Sequence, residues 1–187
     1  MHSYYDQHGR LPPAAVYGDD GTPLLSWRVL ILPFIEQGEL YRRFKLDEPW
    51  DSPHNIQLLP EMPHVFFPFD GSSPPEPHTT FYQVFVGKGA AFEGRVGLRL
   101  KEDFPDGISN TIFIVEAGNA VPWTKPQDLA YGADLPLPKL GGIFKDGFRA
   151  GFGDGSVRTV PKEISEKSLR AAITRNGNDK FGEDWFR

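Results

Sequence analysis

From Ser26 onward the apolar positions Trp27, Leu30, Ile31, Phe34, Ile35, Tyr41 and Phe44 recur at roughly helical spacing. Pro33 interrupts the stripe, because it lacks an N–H and clashes with the preceding turn. The pattern therefore predicts a short helix capped by Ser26, a kink, and a second helix over about 34–44. Asp51 or Ser52 followed by Pro53 repeats a helix start: a capping oxygen, then proline at the first helical position. That helix should carry Ile56, Leu58 and Leu59 and end before Pro63. Ahead of all this, HSYYDQHG reads as the tail of a helix.

The second half changes period. TTFYQVFVG (79–87) is rich in aromatic and branched residues and reads as a strand after a proline-rich loop over 68–78. In DGISNTIFIVEAG (106–118) a turn leads into an apolar run, so Thr111 to Glu116 should be a central strand buried on both faces. Residues 121–142 form a long irregular connection. FRAGFGDGSVRTVP (148–161) is a hairpin with a Gly-Asp-Gly turn. An amphipathic helix over 163–177 turns Ile164, Leu169, Ala172 and Ile173 inward and ends at Gly177 as C-cap. Helices followed by antiparallel strands and a terminal helix make the fold class α+β, with helices on one face of an antiparallel sheet.

Composition narrows the functions open to such a fold. At 187 residues, with 39% hydrophobic and 24% charged content, the chain suits a single globular domain over 1–187. A net charge of −5 without a lysine or arginine block argues against nucleic acid or an anionic membrane surface as partner. No cysteine is present, which excludes disulfides, thiolate catalysis and Cys-ligated zinc. No apolar run reaches the ~18–20 residues that span a bilayer, so the chain as given is not expected to cross one.

Three clusters carry chemistry worth weighing. In KLDEPWDSPHN (45–55), Asp47, Glu48 and Asp51 crowd around Trp50 with His54 close behind. Capping explains Asp51 and packing explains Trp50. A ligand site using Trp50, Asp51, His54 and Trp123 is the competing reading, with Trp185 as a further aromatic able to stack on a sugar. Asp47 and Glu48 are left without a role. In FPDGISNT (104–111), Asp106 and Asn110 fit a tight turn, and the same oxygens are of a kind that binds calcium; GDGS (153–156) reads as a hairpin tip, and a strand-like run rather than a helix follows it, which argues against a phosphate cradle. Glu116 is a candidate buried carboxylate. No G-x-S-x-G elbow and no paired-histidine helix occurs, so no enzyme is expected.

HSYYDQHGRLPPA (2–14), LLSWRVLILPFIEQGELYRRFKLDEPWDSPHN (24–55), DGISNTIFIVEAG, AVPWTKPQDL (120–129) and FGDGSVRTV (152–160) together resemble a large planctomycete family of pilin-like proteins of unknown function. Members carry a prepilin-type N-terminal cleavage and methylation segment. The resemblance implies a type IV pilin or type II secretion pseudopilin-like fold: N-terminal helices on an antiparallel sheet, a C-terminal helix and long proline-rich loops. It makes residues 1–8 the remnant of a membrane-anchoring helix whose apolar half is absent from this chain. Partners would be other pilin-like subunits, met through that helix, and the location the periplasm or cell surface. An extracytoplasmic carbohydrate- or peptide-binding module is the alternative. By analogy with calcium-binding pseudopilins, Asp103, Asp106, Asn110 or Asp154 would ligate calcium; no other cofactor is implied. Two departures stand out: Phe144 lies where many relatives have histidine, and VFFPFDG (65–71) lacks a cysteine common in the family.

Overall fold

Short elements tied to one another by caps make up the first part of the chain. The computed structural model describes residues 1–68, 71, 74, 76–142, 144–145, 147–178 and 185. Helix α1 (His2–His8) ends at Gly9, whose left-handed backbone (φ 68°) lets its N–H reach the Tyr5 carbonyl. A hairpin of β1 (Ala15–Tyr17) and β2 (Pro23–Ser26) follows, which the apolar pattern does not announce because neither strand is long enough to show alternation. Asp20 closes its turn by accepting from the Thr22 N–H and hydroxyl, both at 2.8 Å.

Ser26 caps α2 (Trp27–Leu30) as expected, its hydroxyl accepting from the Arg28 N–H at 3.2 Å. Pro33 then does more than kink a helix. It lies in a separate 3-10 turn, Leu32–Ile35, which Glu36 ends by entering the left-handed region at φ 63°. The helix expected over 34–44 is therefore only α3 (Gly38–Arg43). The next helix is also 3-10, Asn55–Glu61, because Pro60 inside it cannot supply the N–H that an α-helical turn needs.

The chain divides into two compact units. One comprises Met1–Phe81, Arg95–Gly97 and Ala120–Gln127; the other Tyr82–Gly94, Leu98–Asn119 and Asp128–Arg187. In the first, Trp123 is fully buried between the rings of Phe44 (5.8 Å) and Phe66 (5.7 Å), and its indole N–H reaches the Leu59 carbonyl at 2.9 Å. Helix α1 rests on the 3-10 turn through Tyr4 and His8, whose rings lie 5.6 and 6.2 Å from that of Phe34.

Strands β3 (Thr79–Gln83), β5 (Ile112–Pro122), β7 (Phe148–Phe152) and β8 (Val157–Val160) form a sheet in the order β3–β5–β7–β8. The β5–β7 and β7–β8 pairs are antiparallel, and β4 (Phe85–Val86) pairs in parallel with β6 (Leu129–Ala130). In the second unit, β5 is buried on both faces as its apolar run requires. Ile112 and Val115 enter a core with Phe148, Ala150 and Phe152, while Phe113 packs against Phe92 and Phe104. The strand continues well past Glu116, taking the start of the expected irregular connection.

Helix α4 (Glu166–Ile173), capped by Ser165, buries Leu169, Ala172 and Ile173 in the same core. Gly177 is not its C-cap. Thr174 already leaves the helix in extended geometry to bridge Ala90. The loop expected over 68–78 falls partly outside the described residues. Among those described, no helix is long and apolar enough to cross a membrane.

Glu116 is 1% exposed and spends its carboxylate on Arg149, accepting from the backbone N–H at 2.7 Å and from Nη1 at 3.3 Å. Glu116→Gln keeps the shape but removes the charge. It should lower unfolding free energy by about 1.5–3 kcal/mol, read as a lower urea midpoint at unchanged slope.

Candidate functional site

The block KLDEPWDSPHN follows α3 directly, and the last carbonyls of a helix have no partner within it. His54 supplies one: its Nε2 lies 2.8 Å from the Arg43 carbonyl oxygen. A carbonyl only accepts, so Nε2 carries the proton and caps α3. The next residue does more. Asn55 is fully buried; its Oδ1 accepts from the Lys45 N–H at 3.0 Å. Its Nδ2 donates to the carbonyls of Lys45 (2.9 Å), Glu48 (3.1 Å) and Pro49 (3.1 Å). Two N–H bonds shared among three carbonyls fix the orientation of the amide, since the reverse would set oxygen against oxygen. The Asn55 N–H in turn goes to the Ser52 hydroxyl at 3.0 Å. The expected cap at Asp51 or Ser52 is not formed: the 3-10 helix starts at Asn55 with His54 as an N-cap that makes no side-chain bond, the Ser52 hydroxyl serves the turn before it, and Asp51 is exposed.

The remaining charges pair locally. Lys45 and Glu48 meet at 2.8 Å, Arg43 grips Glu61 with both guanidinium nitrogens at 2.5 Å, and Arg42 pairs with Glu39. Glu48, left without a role by its sequence, is therefore the partner of Lys45. The Lys45 ammonium, then the Ser52 hydroxyl, hold its carboxyl below the usual range. Trp50 is half-buried, donates its N–H to the Leu24 carbonyl at 2.8 Å, and lies under the Lys125 ammonium, 5.5 Å from the ring centroid.

Two expectations change. Trp123 presents no face to a sugar, being enclosed by Phe44 and Phe66, and Trp185 is likewise buried, its ring against Phe152. Of the ligand set expected from the sequence, Trp50 is half-buried, Asp51 and His54 are exposed, and Trp123 is buried. The calcium set does not assemble either. Asp103 accepts from the Arg99 N–H, Asp106 from the Asn178 N–H, and Asp154 from the Ser156 N–H and hydroxyl. The Asn110 amide donates to the Asp106 carbonyl. Asp103 and Asp154 serve their own turns, Asn110 closes the turn it shares with Asp106, and the Asp106 carboxylate reaches across to residue 178; among the described residues no three His, Cys, Asp or Glu side chains form a group able to hold a metal ion.

Beside the corner an open depression of about 530 Å3 is lined by Arg42, Arg43, Phe44, Lys45, His54, Gln57 and Leu58. His54 is its one residue that the sequence singles out. Asn55 and the cationic wall went unnoticed. The signal available for Asn55 was its place three residues after Ser52, within reach of a side-chain to backbone turn bond.

Asn55→Ala should cost about 2–4 kcal/mol in urea unfolding, since it leaves several inward backbone groups unpaired. Asn55→Asp should be no milder, because it turns a carboxylate toward three carbonyls. For Glu48 the folded pKa lies below the unfolded one, so its contribution to stability is present above the ordinary carboxyl range and lost as pH falls through the folded value. The difference in Tm between the native chain and Glu48→Gln, present at neutral pH, should shrink steadily on acidification below about pH 4.

Against known proteins, residues 1–67 match the family described as "Protein of unknown function (DUF1559)". No curated protein and no solved structure matches the chain. The matched stretch contains the hairpin β1–β2, α3 and the whole Asn55 corner.

Proposed function

We propose that this chain is the globular part of an exported, pilin-like structural subunit, held at the inner membrane by an N-terminal helix and working in the periplasm or at the cell surface. It serves by presenting a surface rather than by catalysis. The observation that carries this reading is the use to which the block 45–55 is put. Its polar groups are the kind a catalytic or metal site would use, yet His54, Asn55 and Ser52 are spent on the chain's own backbone. The block is therefore architectural, and it falls inside the stretch shared with the matched family. Support also comes from α1, whose aromatic residues dock on the 3-10 turn beside α3, giving a helix entering from the amino-terminal side a fixed seat on the domain.

The mature amino terminus of the native protein tests this. Mass spectrometry of protein isolated from its own cells should find a chain extended by an apolar helix of about 20 residues, methylated at its first residue and recovered with membranes. A native chain that starts at Met1 and is recovered solely in the soluble fraction overturns the proposal.

A further inference from the structure

We infer that Asn176–Gly177 is a site of spontaneous covalent modification, at which the folded chain loses ammonia from Asn176 and acquires an aspartyl or isoaspartyl residue. The chemistry needs a side-chain amide that the following backbone nitrogen can reach. Asn176 is the one asparagine of the chain that precedes glycine, and without a Cβ on that next residue the approach to its nitrogen is least hindered. Both residues are exposed and lie in a bend after α4, outside helix and strand.

The surrounding bonds hold the ends of this bend and leave its middle open. Asp106 clasps both ends: its N–H goes to the Arg175 carbonyl at 3.2 Å, and its carboxylate accepts from the Asn178 N–H at 3.1 Å. Between them, no group among the described residues bonds the Asn176 amide or accepts from the Gly177 N–H. The Asp-Gly pairs at 20–21, 106–107 and 154–155 differ on both counts. Gly21, Gly107 and Gly155 donate their N–H groups to the carbonyls of Gly18, Phe104 and Phe152. The carboxylates of Asp20, Asp106 and Asp154 accept from the N–H groups of Thr22, Asn178 and Ser156. In those pairs the reacting atoms are engaged, and the fold guards them.

The step needs no co-reactant but water. The Gly177 nitrogen gives up its proton and bonds to the Asn176 side-chain carbonyl carbon. The carbon–nitrogen bond of the amide breaks, and ammonia leaves with that proton. Water then opens the resulting cyclic imide at either carbonyl. One opening gives aspartate, the other isoaspartate, whose peptide link runs through the side chain. Nothing is oxidised or reduced, and the product carries one more negative charge.

Ageing the purified chain in mildly alkaline buffer, with peptide mapping by mass spectrometry, tests this. The peptide holding Asn176 should gain the mass that separates an acid from an amide, with isoaspartate the larger product, and the rate should rise with hydroxide. Peptides holding Asn55, Asn110 and Asn119 should stay unchanged over the same period. Gly177→Ala should slow the change at least about tenfold, and the chain unfolded in urea should react within about tenfold of the native rate. The urea comparison uses the unaltered sequence, so it decides the matter even if the variant does not fold. A native chain that stays intact while the unfolded one reacts, equal change at another asparagine, aspartate without isoaspartate, or a folded Gly177→Ala chain ageing at the native rate each overturn the assignment.

Discussion

One buried side-chain amide holds the corner on which the first unit turns. Between α3 and the 3-10 helix Asn55–Glu61 the chain must reverse direction, and in doing so it points three carbonyls and one N–H inward. Buried backbone groups without partners are costly, and no strand or helix is on hand to pair them. Asn55 matches that demand with one acceptor and a two-hydrogen donor on a single rigid plane. With the turn closed, Phe44 lies at the start of the corner and Leu59 beyond it; the first packs its ring against Trp123 and the second accepts the indole N–H. The aromatic core of the unit thus depends on a polar contact at its edge.

The same economy recurs along the chain. With no cysteine and many short elements, turns are closed by side chains bonding to nearby backbone: Asp20 to Thr22, Ser26 to Arg28, Asp154 to Ser156, Ser165 to Ser168. This explains why residues that look reactive in the sequence are occupied in the structure. Asp and Ser beside Gly or Pro do in a loop-rich protein what ladder hydrogen bonds do elsewhere. The cations at the end of α3 pair with carboxylates at the surface, whereas Asn55 is spent on buried backbone.

Much of this was legible in the residues. The β7–β8 hairpin follows from Gly-Asp-Gly between two strand-like runs, and the doubly buried β5 from an unbroken apolar stretch. The inward face of α4 follows from its period. Each of these is a local property, set by side-chain spacing and turn chemistry. Where local rules compete, the sequence misled. Pro33 and Pro60 turned expected helices into short 3-10 pieces, and Thr174 left α4 early because it pairs with Ala90.

What the sequence alone determined is the mixed helix and strand content, the cap at Ser26, the β7–β8 hairpin, and the exclusion of disulfide and thiolate chemistry. Only the tertiary structure decided that Trp123 is core rather than platform, that the Asp106 carboxylate meets the backbone of Asn178, and that Asn55 closes the corner. The first two rest on contacts between residues far apart in the chain, such as Trp123 with Leu59 across 64 positions. Spacing along a sequence records which face a residue shares with its neighbours. It does not record which distant backbone group will arrive to meet it.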